Sequence, residues 1–226
     1  MYDVVEKNSD FIVVYKYPGV SFHREENEAG LFEQVKADHS PDALFPVHRL
    51  DKVTSGLLVM ARTEAVNLAL CQQFAERTSE KYYFAISDKK PSKKQGMIKG
   101  DMVKARRGAW KLQPSLENPA ITQFFSYFLA EGRRLFVLRP RTGKTHQLRV
   151  AMKSLGSPIA GDSLYNDAIA ASQVDRCYLH AFQLAFSLNG ETHRFQALPR
   201  EGLWFQDEAF TALLPTINEP HNLLWP

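Results

Sequence analysis

The stretch Val47 to Arg62, V-H-R-L-D-K-V-T-S-G-L-L-V-M-A-R, sets one carboxylate among basic side chains. Asp51 follows His48 and Arg49 and precedes Lys52, and Thr54-Ser55-Gly56 then leads into the apolar run Leu57-Leu58-Val59-Met60-Ala61. Turn residues ahead of a short apolar run predict a buried strand. A carboxylate at the rim of such a strand suits catalysis, because the scaffold fixes its geometry. The plain alternative for Asp51 is a turn-capping residue.

The charge distribution says what such a site would face. The chain of 226 residues carries a net charge of +3, but unevenly. Lys89 to Lys111 holds nine Lys/Arg and one acid, Asp101, a local excess of +8 that leaves −5 for the remainder. Arg133 to Arg149 adds six Lys/Arg and no acid. Basic charge gathered this way is the footprint of a polyanion-binding surface. Arg106, Arg107 and Trp110 join charge to a stacking surface, which predicts a nucleic-acid-contacting loop; the competing reading is a solvated exposed loop.

The elements that must position these groups are an antiparallel set of strands with helices packed on it. Asp10 to Tyr15 reads as a first strand closed by a Pro18-Gly19 turn, and Leu31 to Ala37 as a weak helix ended by Ser40-Pro41-Asp42. Thr63 is a good N-cap, and Val66, Leu70 and Phe74 follow at helical spacing to about Arg77. Lys81 to Ser87 is aromatic and β-prone. Lys89 to Pro119 reads as an extended loop or short hairpin. Residues 121–129 and 135–138 form a hairpin through Glu131-Gly132-Arg133. A helix is expected from Thr145 to about Leu155, stopped by Gly156, and a last hairpin, 178–188 with 192–198, turns at Asn189-Gly190. Hairpins outnumber strand–helix–strand units, so the class is α+β with a largely antiparallel mixed sheet.

Other chemistries lack their residues. There is no G-x-G-x-x-G, no complete phosphate loop and no H-E-x-x-H, so nucleotide-cofactor, NTPase and zinc-protease readings find no support. Cys71 and Cys177 are too few for a disulfide framework or a thiolate cage and read as thiols of a reducing cytoplasm. No apolar run approaches the roughly 20 residues of a membrane helix. The expectation is a metal-free and cofactor-free site built on a carboxylate, with no membrane partner.

Six segments then make the chain recognisable. His48-Arg49-Leu50-Asp51 with Thr54-Ser55-Gly56 resembles the H-R-L-D-x-x-T-S-G motif of the RluA-type pseudouridine synthase family. Lys16 to Val20 is similar to its K-P-x-G turn, with Tyr17 where proline is usual, and Lys81 to Ala85 to its K-x-Y-x-A strand. Thr142 to Arg149 resembles T-G-R-T-H-Q-[IL]-R, Pro158 to Tyr165 resembles P-I-x-G-D-x-x-Y, and Leu179-His180-Ala181 matches a late L-H-A. Lys144 replaces an Arg, keeping the charge without the two-pronged fork, and Ala151 stands where His is frequent.

The resemblance implies one catalytic domain over 1–226, matched over about 10–200, with a central active-site cleft. The first matched strand leaves no room for a separate small RNA-binding domain before it, so substrate choice is expected from the catalytic domain's own loops. It implies isomerisation of uridine to pseudouridine in ribosomal or transfer RNA. Asp51 is the catalytic carboxylate, acting by attack on the sugar, attack on the base or abstraction of a sugar proton. Arg149 would pair with it and favour its ionised form. Tyr83 would stack on the base, and Arg49 would hold the flipped nucleotide. His48, Lys144, Thr145, His146, Gln147, Arg106 and Arg107 complete the expected RNA contacts, with the helix start at Thr145 suited to a phosphate. The chain is expected to act as a cytoplasmic monomer. The alternative is a non-catalytic RNA-binding protein on the same scaffold.

Overall fold

The computed structural model describes residues 1–26, 28–40 and 42–226. In chain order its elements are β1 (Tyr2–Lys7), β2 (Phe11–Lys16), α1 (Leu31–His39), β3 (Phe45–Pro46), β4 (Ser55–Ala61), α2 (Glu64–Glu76), β5 (Glu80–Ser87) and β6 (Gln95–Lys104). They continue as β7 (Trp110–Gln113), β8 (Ala120–Ala130), β9 (Arg133–Pro140), α3 (Gln147–Ser154), α4 (Ala168–Ser172), β10 (Leu179–Leu188), β11 (Glu191–Gln196) and α5 (Glu208–Ile217). The class is α+β, as the sequence predicts. The chain divides into two compact units, Met1–Lys81 with Ala181–Leu198, and Tyr82–His180 with Pro199–Pro226.

In the first unit β1, β2 and β4 pair antiparallel in that order, and β3 runs against β4. Alternate residues of three strands build one core: Phe11 and Val13, Leu57, Val59 and Ala61, then Leu184, Phe186 and Leu188. Val66 and Leu70 of α2 close it, because their spacing sets both on one side of the helix. Thr63 caps α2 by accepting the Val66 amide, and Arg77 ends it in a left-handed conformation, so the predicted helix is found with its predicted cap. The weak helix is α1, with Leu31 and Val35 buried. Ser40 forms its C-cap, and Pro41 lies outside the described residues. Asn189 (φ 52°) and Gly190 (φ 82°) turn β10 into β11, as expected of that dipeptide.

In the second unit the strands lie in the order β5, β9, β8, β6, β7. Those neighbours pair antiparallel throughout. Tyr82 and Phe84 point to one face of β5, where they meet Trp225 and Phe210. Tyr83 projects from the opposite face of the strand. The expected loop between Lys89 and Pro119 is a hairpin, β6 and β7, joined by a single 3-10 turn at Arg106–Gly108. The helix expected from Thr145 begins two residues later, at Gln147, because His146 takes a left-handed conformation (φ 57°). Among the described residues, no helix is long and apolar enough to cross a membrane.

Candidate active site

Asp51 sits half-buried on the turn before β4, between the buried Leu50 and the exposed Lys52, and Arg49 is exposed. The Thr54 amide donates to the Asp51 carbonyl at 3.0 Å and closes the turn. Its other anchor is Lys16, a side chain sealed from solvent at the end of β2. The Lys16 ammonium donates to the carbonyls of Tyr17 (3.0 Å), Val20 (2.9 Å) and Lys52 (3.1 Å). The Lys52 carbonyl also accepts the Gly19 amide at 2.9 Å. One buried cation thus ties the K-Y-P-G turn to the residue after Asp51, and three carbonyls satisfy its three donors. Tyr17, in the place of the usual proline, fastens the same turn by donating to Asp3 at 2.7 Å. The Lys52 ammonium reaches out to Glu25.

Gly56 marks where the strand bearing this turn enters the core. Its φ is +111°, and an added Cβ would stand 2.2 Å from the Ala181 carbonyl oxygen. Only a residue without a side chain fits.

His48 is held by the scaffold. Its Nε2 accepts the Val59 amide at 3.2 Å, and its ring stacks on Phe74 with centroids 4.7 Å apart. Burial, assisted by the nearby Lys81 charge, pushes the imidazole down to about 3, so it is neutral with the proton on Nδ1. Lys81 lies over the Phe74 ring at 4.5 Å, and burial lowers its amine to about 8.

In the second unit Tyr83 is 9% exposed and pairs with Leu138 across β5 and β9. The structure gives the Arg149 fork a partner that the sequence reading passed over, Asp162. Nε donates to Oδ2 at 2.7 Å and Nη2 to Oδ1 at 2.8 Å, with both side chains nearly sealed from solvent. Asp162 also accepts the amides of Leu164 (3.1 Å) and Tyr165 (3.2 Å). Gly161 brings that carboxylate into place: an added Cβ would lie 1.9 Å from the Arg176 carbonyl oxygen. The signal for Asp162 was present as the G-D of the matched P-I-A-G-D turn.

Gln147 is a clamp inside the fold. Its Oε1 accepts from the Thr142 hydroxyl (2.6 Å) and the Lys144 amide (3.1 Å). Its Nε2 donates to the Ile121 carbonyl and to the Thr122 hydroxyl, both at 3.0 Å. Four bonds fill the amide's capacity. Its neighbours differ: Thr145 is exposed and Lys144 partly so.

The two basic stretches separate in the same way. All nine Lys/Arg between Lys89 and Lys111 are exposed, including Arg106 and Arg107 at the tip of the β6–β7 hairpin. The second stretch is largely committed internally. Arg133 pairs with Asp207 at 3.0 Å, Arg134 donates to Ser126, and Arg139 lies over the rings of Tyr82 and Trp225. The exposed cations of these two stretches are therefore those between Lys89 and Lys111, on the approach to β6 and along the β6–β7 hairpin.

Comparison with known proteins accounts for this arrangement. Residues 10–154 match the model of a family described as RNA pseudouridylate synthase, a span that includes Asp51, Tyr83 and Arg149. The chain is 46% identical over 219 residues to an uncharacterized RNA pseudouridine synthase of Haemophilus influenzae, covering 96% of this chain and 97% of that protein. It is 34% identical over 191 residues to the dual-specificity RNA pseudouridine synthase RluA of Escherichia coli (strain K12), covering 81% and 86% respectively. Its fold is similar to that of human RNA pseudouridylate synthase domain containing 1, with a TM-score of 0.75 and 26% identity over 92% of this chain and 87% of that one. On the family match and on this identity, the chain belongs to the RNA pseudouridylate synthase family.

Proposed function

We propose that the chain isomerises chosen uridines of ribosomal or transfer RNA to pseudouridine, with Asp51 as the catalytic carboxylate. The observation that carries this reading is the His48-Arg49-Leu50-Asp51 motif within the matched span, on a turn pinned from below by the Lys16 ammonium. The reaction breaks the bond from sugar C1′ to the base nitrogen, turns the uracil and rejoins it through C5, whose proton leaves. Substrate and product are isomers, so no oxidant or second substrate is consumed. Whether Asp51 attacks the sugar, attacks the base or takes a sugar proton, it acts as the ionised group.

In this reading Tyr83 stacks on the uracil, and Arg149 supplies positive charge whose orientation Asp162 fixes. Arg49, exposed beside Asp51, contacts the flipped nucleotide. Lys144, Thr145 and His146, with the exposed Arg106 and Arg107, meet phosphates. Gln147 and His48 act indirectly, each holding the loops of its own unit that present those groups. The chain works as one catalytic domain and as a monomer, in the cytoplasm.

The test is purified wild type and Asp51→Asn on a uridine-containing RNA, scored by pseudouridine mapping. The expected result is product with wild type and none with the variant, at unchanged RNA affinity. Equal product from the two, or none from wild type on any cellular RNA, overturns the reading. Mapping pseudouridines in cells that lack the gene identifies the RNA and the position.

A further inference from the structure

Tyr165 is a buried tyrosine to which neither the motif reading nor the proposed chemistry gives a task. Its hydroxyl accepts the backbone amide of Trp110 at 2.9 Å, and it lies 2.9 Å from Nδ1 of His146. Its ring meets the His146 ring edge-on, with centroids 5.7 Å apart and planes at 86°. The Arg149 guanidinium lies over the same ring at 5.0 Å, and the Tyr165 amide donates to Asp162. A phenol has one proton to give and can accept in addition. With the Trp110 amide donating to it, the hydroxyl bridges that amide and His146 Nδ1, the direction of the second bond following the His146 tautomer.

Trp110 opens β7, and its register partner is Lys104 at the end of β6. Between them lies the exposed tip with Arg106 and Arg107, closed by the Ala105 amide donating to the Ala109 carbonyl at 2.7 Å. The hydroxyl therefore holds the tip end of the basic hairpin, at its last strand pair, and touches the residue that precedes α3, the helix carrying Arg149. The first half of β6 is paired to β8, but its outer half, Asp101–Lys104, pairs only with β7, and a two-stranded ribbon is marginally stable by itself. We infer that the Tyr165 hydroxyl is a positioning joint that sets the basic hairpin at a fixed angle to the Arg149 helix, so that the hairpin's cations meet RNA phosphates in register with that helix. The inference rests on the proposed role of the hairpin in RNA binding. It goes beyond that role in naming the residue that makes the binding depend on the α3 end.

The experiment is Tyr165→Phe, which deletes the hydroxyl and keeps the ring over Arg149. Hydrogen exchange at the Trp110 amide should quicken by about tenfold, the loss of one buried hydrogen bond. In turnover assays KM for RNA should rise by about fivefold, with the change falling on KM more than on kcat, and the salt dependence of KM should become shallower. In an Arg106→Ala/Arg107→Ala background the same substitution should add little, because a joint has nothing to position once the tip has lost its charge. Unchanged Trp110 exchange, or effects that multiply in the combined variant, overturn the joint. If Tyr165→Phe does not fold, His146→Ala removes the hydroxyl's other partner and so uncouples the hairpin from the α3 end; a KM for RNA and a salt dependence unchanged in that variant overturn the joint too. If Arg106→Ala/Arg107→Ala alone leaves KM unaltered, the RNA-binding role of the hairpin falls, and Trp110 exchange still decides the joint.

Discussion

Arg149 and Asp162 are joined by a two-point fork, Nε to Oδ2 at 2.7 Å and Nη2 to Oδ1 at 2.8 Å, in a setting nearly closed to water. A planar guanidinium matches a carboxylate in this way and an ammonium cannot. Arg149→Lys keeps the charge and loses the fork, leaving Asp162 half-satisfied. We expect turnover to fall about 100-fold, the scale of a misplaced catalytic group. Single-turnover kinetics on a defined RNA checks it, and a rate near wild type would show that the fork does not orient the arginine.

Lys16 is the second such device. Lys16→Met keeps much of the buried volume and strands three carbonyl oxygens, at a cost of about 3–5 kcal/mol. The expected readout is a lower midpoint in urea, with faster exchange at Gly19, whose amide shares the Lys52 carbonyl. A midpoint equal to wild type would refute the anchoring role.

His48 makes stability depend on acid. Its folded value, about 3, lies below the ordinary 6.5, through burial first and the Lys81 charge second. The unfolded chain therefore binds the proton more readily, so this stabilisation is in full force above about pH 6.5 and drains away as the pH falls towards 3. Nε2 is also the acceptor for Val59, so protonation there opposes an amide hydrogen. Urea unfolding between pH 6.5 and 4.5 should show a falling stability that His48→Gln flattens. Identical pH profiles for the two proteins would remove His48 as the cause.

Gly56→Ala tests the close approach behind the Asp51 turn. A Cβ 2.2 Å from the Ala181 oxygen, at φ +111°, forces backbone movement at the start of β4. The expected loss is about 3 kcal/mol or more in thermal or chemical unfolding. A neutral substitution would mean that the strand yields at no cost.

What could be read from the chain alone follows the strength of the local signal. Thr63, Val66 and Leu70 announced α2 because cap and spacing agree, and Asn189-Gly190 announced its hairpin because few dipeptides fit that turn. β1 was missed: a register shift between Val4 and Glu6 breaks the alternation that marks a strand. α5 was missed because Pro215, which reads as a helix stop, sits in its last turn after a good Asp207 cap. β6 and β7 are only partly covered, so no apolar period marks them. At the site, motif residues were legible as a set but their duties were not. Gln147 and His48 read as substrate contacts, yet their hydrogen bonds run to Thr122, Lys144 and Val59, far from each in sequence or hidden by the turn at His146. Asp162 was visible as a letter and became a partner only through the fold.

The carbonyl cage around Lys16 has one more consequence. Three converging backbone oxygens are what a bound potassium ion is given elsewhere, and here the cation is covalently part of the chain. It cannot be diluted, chelated or exchanged for sodium. The geometry beneath Asp51 is thereby insulated from the ionic make-up of the medium, and a salt titration of this protein becomes a clean gauge of its grip on RNA phosphates.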